Sequence, residues 1–563
     1  MLPLLAILPI LVVAVLMVLF VWPSSRAMPV AWLTAGVIAY FAWNMPPVWL
    51  LAATLGGIIN AIDILIIVFG AILILQIMRR SGGIHGISHS MAQISTDRRV
   101  QLLVIAWLMG CFLEGAAGFG TPAAVAAPLL VGLGFPPLIA AATTLMADST
   151  PVTFGAVGVP IWGGFAALQE VVSWPVQTSG GNLGFSAFLQ YIGSFSGILH
   201  FLIGTFIPLA LVSTMTKVIS GTFKDGLKVW PLAIFAGLVF TIPQVLIAVL
   251  VGPELPTLLG SLIGLVIFIP AVKHGFLVPK DKWDFPPHEQ WKKSWEGSVK
   301  AGGGEPGAQT RIVKPWLAWI PYILLGLILL IARLPFVKLT PLLRYWNIGW
   351  ENILGTSISR TIQPLYNPGI FPFLLVALII PLLHGIPYRE LFTAAKETLS
   401  MLTSAAIALV FTLGMVYILM YSGDATGRDS MLIVLARAAA DYTGAVWYLV
   451  APFVGILGTF ISGSNTVSNI MFGPFQFSTA QQAQLHMIPV LALQAVGGAV
   501  GNMICIHNVV AVLTTVGLIG REGIVIRENL PVCILYGLLT GIAAWILILV
   551  LPPELFTFFP LRL

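Results

Sequence analysis

The chain has 563 residues, of which 58% are hydrophobic and only 9% are charged, and its mean hydropathy is +0.98. Soluble domains carry about 25% charged residues, so this composition excludes a soluble protein and predicts an integral membrane protein. The net charge of +6 at pH 7 does not indicate a nucleic-acid partner, because the surplus basic residues lie in loops between apolar segments, where they act as orientation signals.

The apolar segments predict twelve membrane crossings, because about 20 apolar residues are needed for one helix to cross a bilayer. The N-terminal segment lacks the basic n-region of a signal peptide, so we expect it to stay in the protein as a membrane helix. The predicted crossings lie at about residues 2–22, 28–44, 47–78, 135–162, 186–216, 229–251, 255–273, 315–333, 368–386, 397–421, 485–519 and 529–551.

One stretch in the first half is too polar for a lipid-facing helix. Residues 110–122 read Gly-Cys-Phe-Leu-Glu-Gly-Ala-Ala-Gly-Phe-Gly-Thr-Pro and carry one carboxylate, Glu114. Irregular backbone at membrane depth is tolerated where it is buried in protein or lines a water-filled cavity. We therefore predict that residues 101–134 form a re-entrant hairpin, here called the first hairpin, whose tip lies at a ligand site.

A second stretch of the same kind occurs in the C-terminal half. Residues 445–481, here called the second hairpin, are centred on Ser462-Gly-Ser-Asn-Thr-Val-Ser-Asn469. Gly110-Cys-Phe-Leu-Glu-Gly115 in the first hairpin matches Gly458-Thr-Phe-Ile-Ser-Gly463 in the second at both glycines, the phenylalanine and a branched aliphatic residue. The match indicates an internal repeat.

Each hairpin is followed by a long apolar segment that polar residues interrupt, Asp148-Ser-Thr-Pro151 in one case and Gly501-Asn-Met-Ile-Cys-Ile-His-Asn508 in the other. Seven predicted crossings separate the hairpins, and an odd number means that the second hairpin enters from the opposite face. Two inverted copies of such a unit are typical of secondary transporters. We predict an all-α polytopic membrane protein with about 12 transmembrane helices plus two re-entrant hairpins in two inverted repeats.

The distribution of basic residues predicts the orientation of the chain. Placing the N-terminus outside puts most of the 27 Lys and Arg residues in cytoplasmic loops. Residues 275–314 are polar and glycine-rich, so we expect a flexible cytoplasmic linker there. This linker would divide the chain into a first transmembrane half, residues 1–274, and a second, residues 315–563.

Side chains at both hairpin tips and in both interrupted helices could bind an anionic substrate. Half-helix N-termini offer unpaired N–H groups and a positive potential without a buried cation, and neighbouring hydroxyl and amide groups can add hydrogen bonds. The candidate substrate-binding residues are Gly118, Thr121, Ser149, Thr150, Ser464, Asn465, Thr466, Asn502 and Asn508.

Four ionisable residues in apolar segments are candidates for proton coupling. Glu114 and Asp148 lie in the interrupted regions, Asp63 lies in the third predicted crossing, and His507 lies in the second interrupted helix. Burial raises the pKa of a carboxyl group and lowers that of a histidine, and either change can bring the group into the physiological pH range, where it can bind and release a proton. A structural role is the alternative, because a carboxylate can cap hairpin N–H groups and Asn60-x-x-Asp63 could tie two helices together.

Several other classes of site are disfavoured by the sequence. Cys111, Cys505 and Cys533 form no CxxC pair and lie in apolar sequence, so we expect neither disulfides nor zinc. His85 and His89 have the spacing of a metal pair but lack the glutamate of an HExxH motif. The sequence has no Walker motif and no GxGD motif, so we expect no ATP-driven pump, no membrane-embedded enzyme and no cofactor.

At these residues the sequence resembles the lactate permease family, which includes glycolate permeases. The similarity covers nearly the whole length, and it is close at Phe112-Leu-Glu-Gly-Ala-Ala-Gly-Phe-Gly-Thr-Pro122, at Thr150-Pro-Val-Thr-Phe-Gly-Ala-Val-Gly-Val-Pro160, at Phe460-Ile-Ser-Gly-Ser-Asn-Thr-Val-Ser-Asn469 and at residues 511–520. The resemblance implies proton-coupled uptake of lactate, glycolate and similar 2-hydroxymonocarboxylates by a permease of the plasma (inner) membrane.

The chain departs from the family pattern at its polar centres. The family usually has an Asn at the position of Asp148 and an Asp at the position of Asn465, so a carboxylate has moved from one half of the site to the other. The second interrupted helix of the family typically reads Gly-Lys-Met-Ile-Ser-Pro-Gln, whereas this chain has Gly501-Asn-Met-Ile-Cys-Ile-His507. A lysine near the substrate is lost, which leaves room for a different small carboxylate.

We therefore expect a secondary transporter of short 2-hydroxymonocarboxylates with a proton as the co-substrate. Sodium coupling of another small carboxylate is the alternative, because Ser, Asn and Thr side chains at hairpin tips also form oxygen cages for cations. A channel is the third possibility. The sequence leaves open the exact substrate, the stoichiometry and the oligomeric state, with a homodimer among the candidates.

Overall fold

The computed structural model describes residues 2–20, 22–118, 120–169, 176–178, 181–297, 313–333, 342–343, 345–367, 370–518 and 520–551. These residues form helices almost throughout, and eleven of the described helices are long and apolar enough to cross a membrane. The prediction of an all-α, multi-pass membrane protein is confirmed. The number of twelve crossings and the re-entrant course of the two hairpins stay predictions.

The main helices are numbered in chain order. They are α1 Leu2–Val18, α2 Ser24–Ala42, α3 Pro47–Arg80, α4 Gly83–Ala92, α5 Arg98–Ala116, α6 Thr121–Gly132, α7 Pro137–Ala147, α8 Gly155–Trp162, α9 Phe185–Ser220, α10 Trp230–Leu250, α11 Pro256–Lys273, α12 Pro315–Arg333, α13 Phe371–His384, α14 Tyr388–Tyr421, α15 Met431–Thr443, α16 Trp447–Ser462, α17 Asn465–Gln482, α18 Met487–Gly501, α19 Ile506–Thr515 and α20 Glu522–Val550.

Single helical turns and two short antiparallel ribbons complete the described structure. The turns are Thr150–Phe154, Ala166–Gln169, Lys224–Leu227, His288–Gln290, Ile353–Gly355, Asp424–Thr426, Gly444–Val446 and Asn502–Ile504. One ribbon pairs β1, Val176–Thr178, with β2, Gly181–Leu183, and the other pairs β3, Ile348–Trp350, with β4, Arg360–Ile362.

Proline and glycine set many of the helix boundaries. Pro47, Pro137 and Pro256 begin α3, α7 and α11, where the missing N–H group would have no intrahelical partner. Gly385 and Gly463 end α13 and α16 with φ angles of +61° and +83°. Glycine is favoured at such a left-handed C-terminal position because it has no Cβ.

Four helix breaks lie where polar or glycine-rich sequence predicted them. In the first half, residues 117–120 separate α5 from α6, and residues 148–154 separate α7 from α8. In the second half, residues 463–464 separate α16 from α17, and residues 502–505 separate α18 from α19. Each predicted hairpin is therefore a pair of helices joined by a short turn, and each predicted interrupted helix is broken.

Two described helices were not predicted. Helix α4 has only 10 residues, which is too short to cross a membrane. Helix α15 has 13 residues and is amphipathic, since Leu432, Leu435 and Ala436 are buried while Asp441 and Tyr442 are exposed. An amphipathic pattern of this length does not register as a membrane span.

The long helices α3 and α14, of 34 residues each, pack against one another. A Cβ atom on Gly57 of α3 would lie 2.7 Å from the backbone nitrogen of Gly414 in α14. Small residues at such a crossing allow two helix backbones to approach closely, which favours association in a membrane through dispersion contacts.

Ion pairs join segments that the positive-inside rule placed on one side of the membrane. Arg80 at the end of α3 contacts Glu390 and Glu397 of α14 at 2.6 and 2.7 Å, and Arg98 at the start of α5 contacts Asp284 at 2.8 Å. These segments therefore share one face of the molecule. The direction of that face, and hence the outside placement of the N-terminus, stays a prediction.

Part of the predicted linker is docked onto the helices. The backbone N–H of Arg98 donates to the carbonyl of Trp283, the N–H of Leu138 donates to that of Trp295, and the Trp295 side chain is buried. Residues 298–312 lie outside the described part of the chain. The division of the chain into two halves at this linker remains a prediction.

Arg99 is the buried centre of this docked region. Its guanidinium donates to Asp97 Oδ1 at 3.2 Å and Oδ2 at 2.8 Å, and to the carbonyl of Asp225 at 3.2 Å. Arg99 is fully buried, and Asp97 is 3% exposed. A buried ion pair of this kind is sensitive to the loss of one partner, because the remaining charge keeps its desolvation penalty.

We expect Arg99→Gln to lower the free energy of unfolding by about 3–5 kcal/mol, because the buried Asp97 carboxylate would lose its ion-pair partner and keep only backbone N–H donors. The measurement is the thermal unfolding of the detergent-solubilised protein. Arg437→Gln is the control, because Arg437 pairs with Asp429 on the surface, where such pairs contribute about 0–1 kcal/mol. Equal melting temperatures for the two variants would contradict the structural role of Arg99.

Candidate functional site

The tips of the two hairpins meet at one small cavity. Gly118 and Gly120 of the first tip and Gly463 and Ser464 of the second tip all line it. The three glycines have φ angles of +62°, +72° and +83°, which favour glycine because a side chain would be strained there. The convergence of two helix breaks from opposite halves of the chain makes this cavity the candidate functional site.

The cavity wall combines predicted and unpredicted residues. The predicted residues that line it are Glu114, Gly118, Ser464, Asn465, Thr466 and Asn502. The residues that sequence reasoning missed are Gly120, Val152, Gly155, Ala156, Val159, Pro160 and Gly463. Most of the missed residues belong to the first two turns of α8, where glycines at 155 and 158 were the available signal.

Two buried carboxyl groups lie in contact at this site. Glu114 comes from α5 and Asp148 caps the C-terminal end of α7, and their side chains are within hydrogen-bonding reach of each other. Glu114 is 2% exposed and Asp148 is 3% exposed. Two carboxylates in contact repel each other strongly when both are ionised, so this arrangement favours one proton held between them.

Each acid of the pair has one buried oxygen without a donor in the described part of the chain. Glu114 Oε2 and Asp148 Oδ1 are buried and accept no hydrogen bond from a donor among the described residues. Gly155 packs directly on the other oxygen, Glu114 Oε1, so closely that a Cβ atom could not fit between them. The Glu114 carboxyl group is thus confined on one side and lines the cavity on the other.

An amide relay connects the acid pair to the break between α18 and α19. Asn502 Nδ2 donates to Asp148 Oδ2 at 2.7 Å, and Asn508 Nδ2 donates to Asn502 Oδ1 at 2.6 Å. Asn508 Oδ1 in turn faces the first hairpin tip, 2.9 Å from the place of a Cβ on Gly120. The second interrupted helix therefore binds the acid pair through Asn502 and packs against the first tip through Asn508.

The second tip carries polar groups without protein partners. Asn465 is 2% exposed, lines the cavity, and makes no hydrogen bond with either side-chain amide atom among the described residues. The buried hydroxyl of Thr459 is also without a partner there. Asn465 and Thr466 form the first turn of α17, where backbone N–H groups have no intrahelical acceptor. This tip can therefore bind an anion or a polar group.

The first turn of α8 has a strained backbone. Ala156 and Val157 have φ angles of +43° and +57°, and Gly158 follows with +77°. A β-branched residue rarely adopts this left-handed conformation, and each such residue costs about 1–3 kcal/mol. The strain lies directly beside the first tip, since a Cβ on Gly118 would approach the Ala156 Cβ to 2.9 Å.

Two predicted substrate-binding hydroxyls do not line the cavity. Ser149 Oγ donates to the Met146 carbonyl at 2.8 Å, and Thr150 Oγ1 is 3.2 Å from the hydroxyl of Tyr536. The side chain of Thr121, and the whole of Phe119, lie outside the described part of the chain.

The two remaining candidates for proton coupling lie apart from the acid pair. Asp63 Oδ1 accepts a hydrogen bond from Asn367 at 2.8 Å and lines a different cavity. His507 is exposed and lies beside the second tip, where a Cβ on Gly463 would be 3.2 Å from the His507 Cβ. The structure therefore brings Glu114 and Asp148 together, but not Asp63 or His507 with them.

The cysteines and the candidate metal ligands were also located in the structure. Cys111, Cys505 and Cys533 are free and buried. Within the described ranges, no group of three or more His, Cys, Asp and Glu side chains is placed to hold a metal ion.

The comparison with known proteins identifies the family. The family model for L-lactate permease matches residues 3–551. The chain belongs to the L-lactate permease family. This family member is 32% identical to a relative in Haemophilus influenzae, with 93% of this chain and 94% of the relative covered. It is 28% identical to the L-lactate permease of Bacillus subtilis, with 91% of each chain covered. It is also 28% identical to the glycolate permease of Escherichia coli, with 90% of this chain and 88% of that protein covered. The resemblance seen in the sequence is confirmed.

We expect Gly155→Ala to destabilise the permease by about 1–3 kcal/mol, because the new methyl group would overlap Glu114 Oε1. Thermal unfolding in detergent measures the effect. Gly36→Ala in α2 is the control, since a Cβ there meets nothing within 4 Å.

A double variant tests the cause of that destabilisation. If the overlap with Glu114 is responsible, Glu114→Ala should restore much of the stability that Gly155→Ala removes, because contacting residues have non-additive effects. Strictly additive losses in stability would show that Gly155 acts through another neighbour.

Proposed function

We propose that this chain is a secondary transporter that carries lactate- and glycolate-type 2-hydroxymonocarboxylates across the plasma membrane together with a proton. The observation that carries the proposal is the contact of Glu114 with Asp148 at a cavity lined by both hairpin tips. Membership of the L-lactate permease family supports the substrate class, since relatives are named L-lactate and glycolate permeases.

The second tip is the proposed cradle for the substrate carboxylate. Ser464, Asn465 and Thr466 line the cavity at the start of α17, where N–H groups and the helix dipole favour an anion. The buried amide of Asn465 would donate to the carboxylate. Asn502, which also lines the cavity, would bind the 2-hydroxyl group.

The acid pair is the proposed carrier of the proton. Glu114 lines the cavity, while Asp148 lies behind it and is oriented by Asn502. A proton taken up by the pair lowers the negative charge at the cavity, which favours the arrival of a carboxylate. Binding of substrate and proton would thus support each other, as symport requires.

The departures from the family pattern fit this arrangement. Asp148 is within hydrogen-bonding reach of Glu114, and Asn465 lines the same cavity as Glu114. An acid exchanged between positions 148 and 465 would therefore stay in one site. The site loses the nearby lysine of the family pattern, and the N-terminus of α17 would supply positive potential in its place.

Sodium coupling is the second candidate mechanism. Ser464, Asn465 and Thr466 present oxygen atoms as well as donors, and the Oδ1 atom of Asn465 has no partner among the described residues.

The outside placement of the N-terminus is likewise a proposal, supported by the clustering of basic segments on one face.

We expect Glu114→Gln to abolish accumulation of lactate driven by a pH step, because the pair can no longer bind and release a proton. The accumulation is measured as uptake of radiolabelled lactate, glycolate and pyruvate into proteoliposomes after an imposed pH step. Glu351→Gln is the matched control, since Glu351 is exposed and remote from the cavity lining. Accumulation by Glu114→Gln equal to that of the control would remove Glu114 from the mechanism.

Symport of one anion with one proton moves no net charge. A pH gradient should then drive up to about tenfold accumulation per unit, equivalent to about 1.4 kcal/mol. A potential imposed with potassium and valinomycin should add nothing, and replacing sodium by choline should not change uptake. Loss of uptake in choline at a constant pH gradient would instead establish sodium coupling.

A further inference from the structure

A second cavity lies next to the candidate site. Its volume is about 360 Å³, and the residues that line it include Asp63 of α3, Trp162 of α8, Ser186 of α9, and Arg360 and Tyr366 of the segment that follows β3. The size is sufficient for a small hydrated anion. We call this space the vestibule.

Helix α8 contributes to the walls of both the vestibule and the candidate site. Val159 and Pro160 line the site, and Trp162 of the same helix lines the vestibule. Residues 159 and 162 are about 4.5 Å apart along a helix axis at 1.5 Å per residue. The two cavities therefore share one helix, with lining residues about one turn apart.

Arg360 places a positive charge in the vestibule wall. It is 4% exposed, and its Nη2 atom donates to Asn60 Oδ1 of α3 at 2.8 Å. A buried guanidinium needs compensation from its surroundings, which Asn60 and the electrostatic interaction with Asp63 supply in the absence of an anion. Strand β4 holds the backbone of Arg360 in register with Trp350.

Among the described residues that line the site and the vestibule, Arg360 supplies the one permanent positive charge. The site itself offers an anion only helix dipoles and amide donors. Guanidinium groups bind carboxylates with two parallel hydrogen bonds, which makes arginine well suited to capture a monocarboxylate.

We propose that the vestibule is an anion-binding subsite in which Arg360 holds the carboxylate of a small 2-hydroxy acid on its way to or from the site. Asp63 lies in the same wall and interacts electrostatically with Arg360. It would compete with the bound anion, which keeps the subsite weak enough to release it. The identity of the anion rests on the proposed function, whereas the positive subsite does not.

Charge-selective labelling of a cysteine tests the subsite without transport. Ser186→Cys places a thiol in the vestibule wall, and the three natural cysteines are buried. The reagents are the anionic sulfonatoethyl and the cationic trimethylammonioethyl methanethiosulfonates, applied to detergent-solubilised protein. Adding Arg360→Gln should lower the ratio of anionic to cationic labelling rates by about tenfold. Lactate should slow labelling when Arg360 is present and not when it is replaced.

Two further variants separate a binding role from a structural one. Arg437→Gln removes an exposed arginine and should leave both the labelling ratio and the lactate protection unchanged. Arg360→Lys keeps the charge but not the two-pronged geometry. It should preserve the labelling ratio and weaken lactate protection several-fold, and it serves as the test if Arg360→Gln does not fold.

The outcomes also distinguish this proposal from the proposed function. An unchanged labelling ratio in Arg360→Gln, or full lactate protection in Arg360→Lys, would overturn the subsite even if the wild-type protein transports lactate. Protection of the thiol by lactate, without any uptake into proteoliposomes, would support the subsite and contradict the transport function.

Discussion

The constraint that organises this structure is the need to satisfy polar backbone at membrane depth. Lipid offers no hydrogen-bond partners, so a broken helix is stable there only where protein groups or a polar cavity receive the exposed N–H and C=O groups. Side chains of other elements provide this here. Asn469 of α17 donates to the Pro160 carbonyl at 2.9 Å, and Thr257 of α11 donates to the Pro151 carbonyl at 2.8 Å. These hydrogen bonds tie α8 and the turn before it to two other helices.

The negative and the positive groups lie in two different cavities, the candidate site and the vestibule. The candidate site contains an acid pair, Glu114 and Asp148, and lacks a lining lysine or arginine among its described residues. An ionised pair would repel a carboxylate, so protonation and anion binding are physically coupled at the site. The fixed positive charge, on Arg360, lies instead in the vestibule, where it can attract an anion without holding the acid pair in its ionised form.

The sequence was informative about the helix breaks and less so about contacts. Glycine, proline and polar residues in apolar sequence disfavour a continuous membrane helix, which is why residues such as Glu114 and Asn465 could be placed at the site. The contact between Glu114 and Asp148 depends on how separate helices pack, which local pattern does not determine. Ser149 and Thr150 were predicted to bind substrate, but the tight turn after α7 directs their hydroxyls to Met146 and Tyr536.

The two helix breaks that meet at the site differ in their hydrogen-bond support. Behind the first break, Thr153 Oγ1 is 2.7 Å from His200 Nε2, and His200 Nδ1 is 2.7 Å from the hydroxyl of Tyr536. The π-helical segment at 200–204 in α9 positions this histidine, and such segments often occur at functional sites. The second tip has less support, since Asn465 and Thr459 have buried polar atoms without partners. Unpartnered buried groups carry a desolvation penalty, which a polar ligand would relieve at the second tip and a shared proton would relieve at Glu114 Oε2 and Asp148 Oδ1 beside the first break. Substrate and proton would therefore stabilise different parts of the same site.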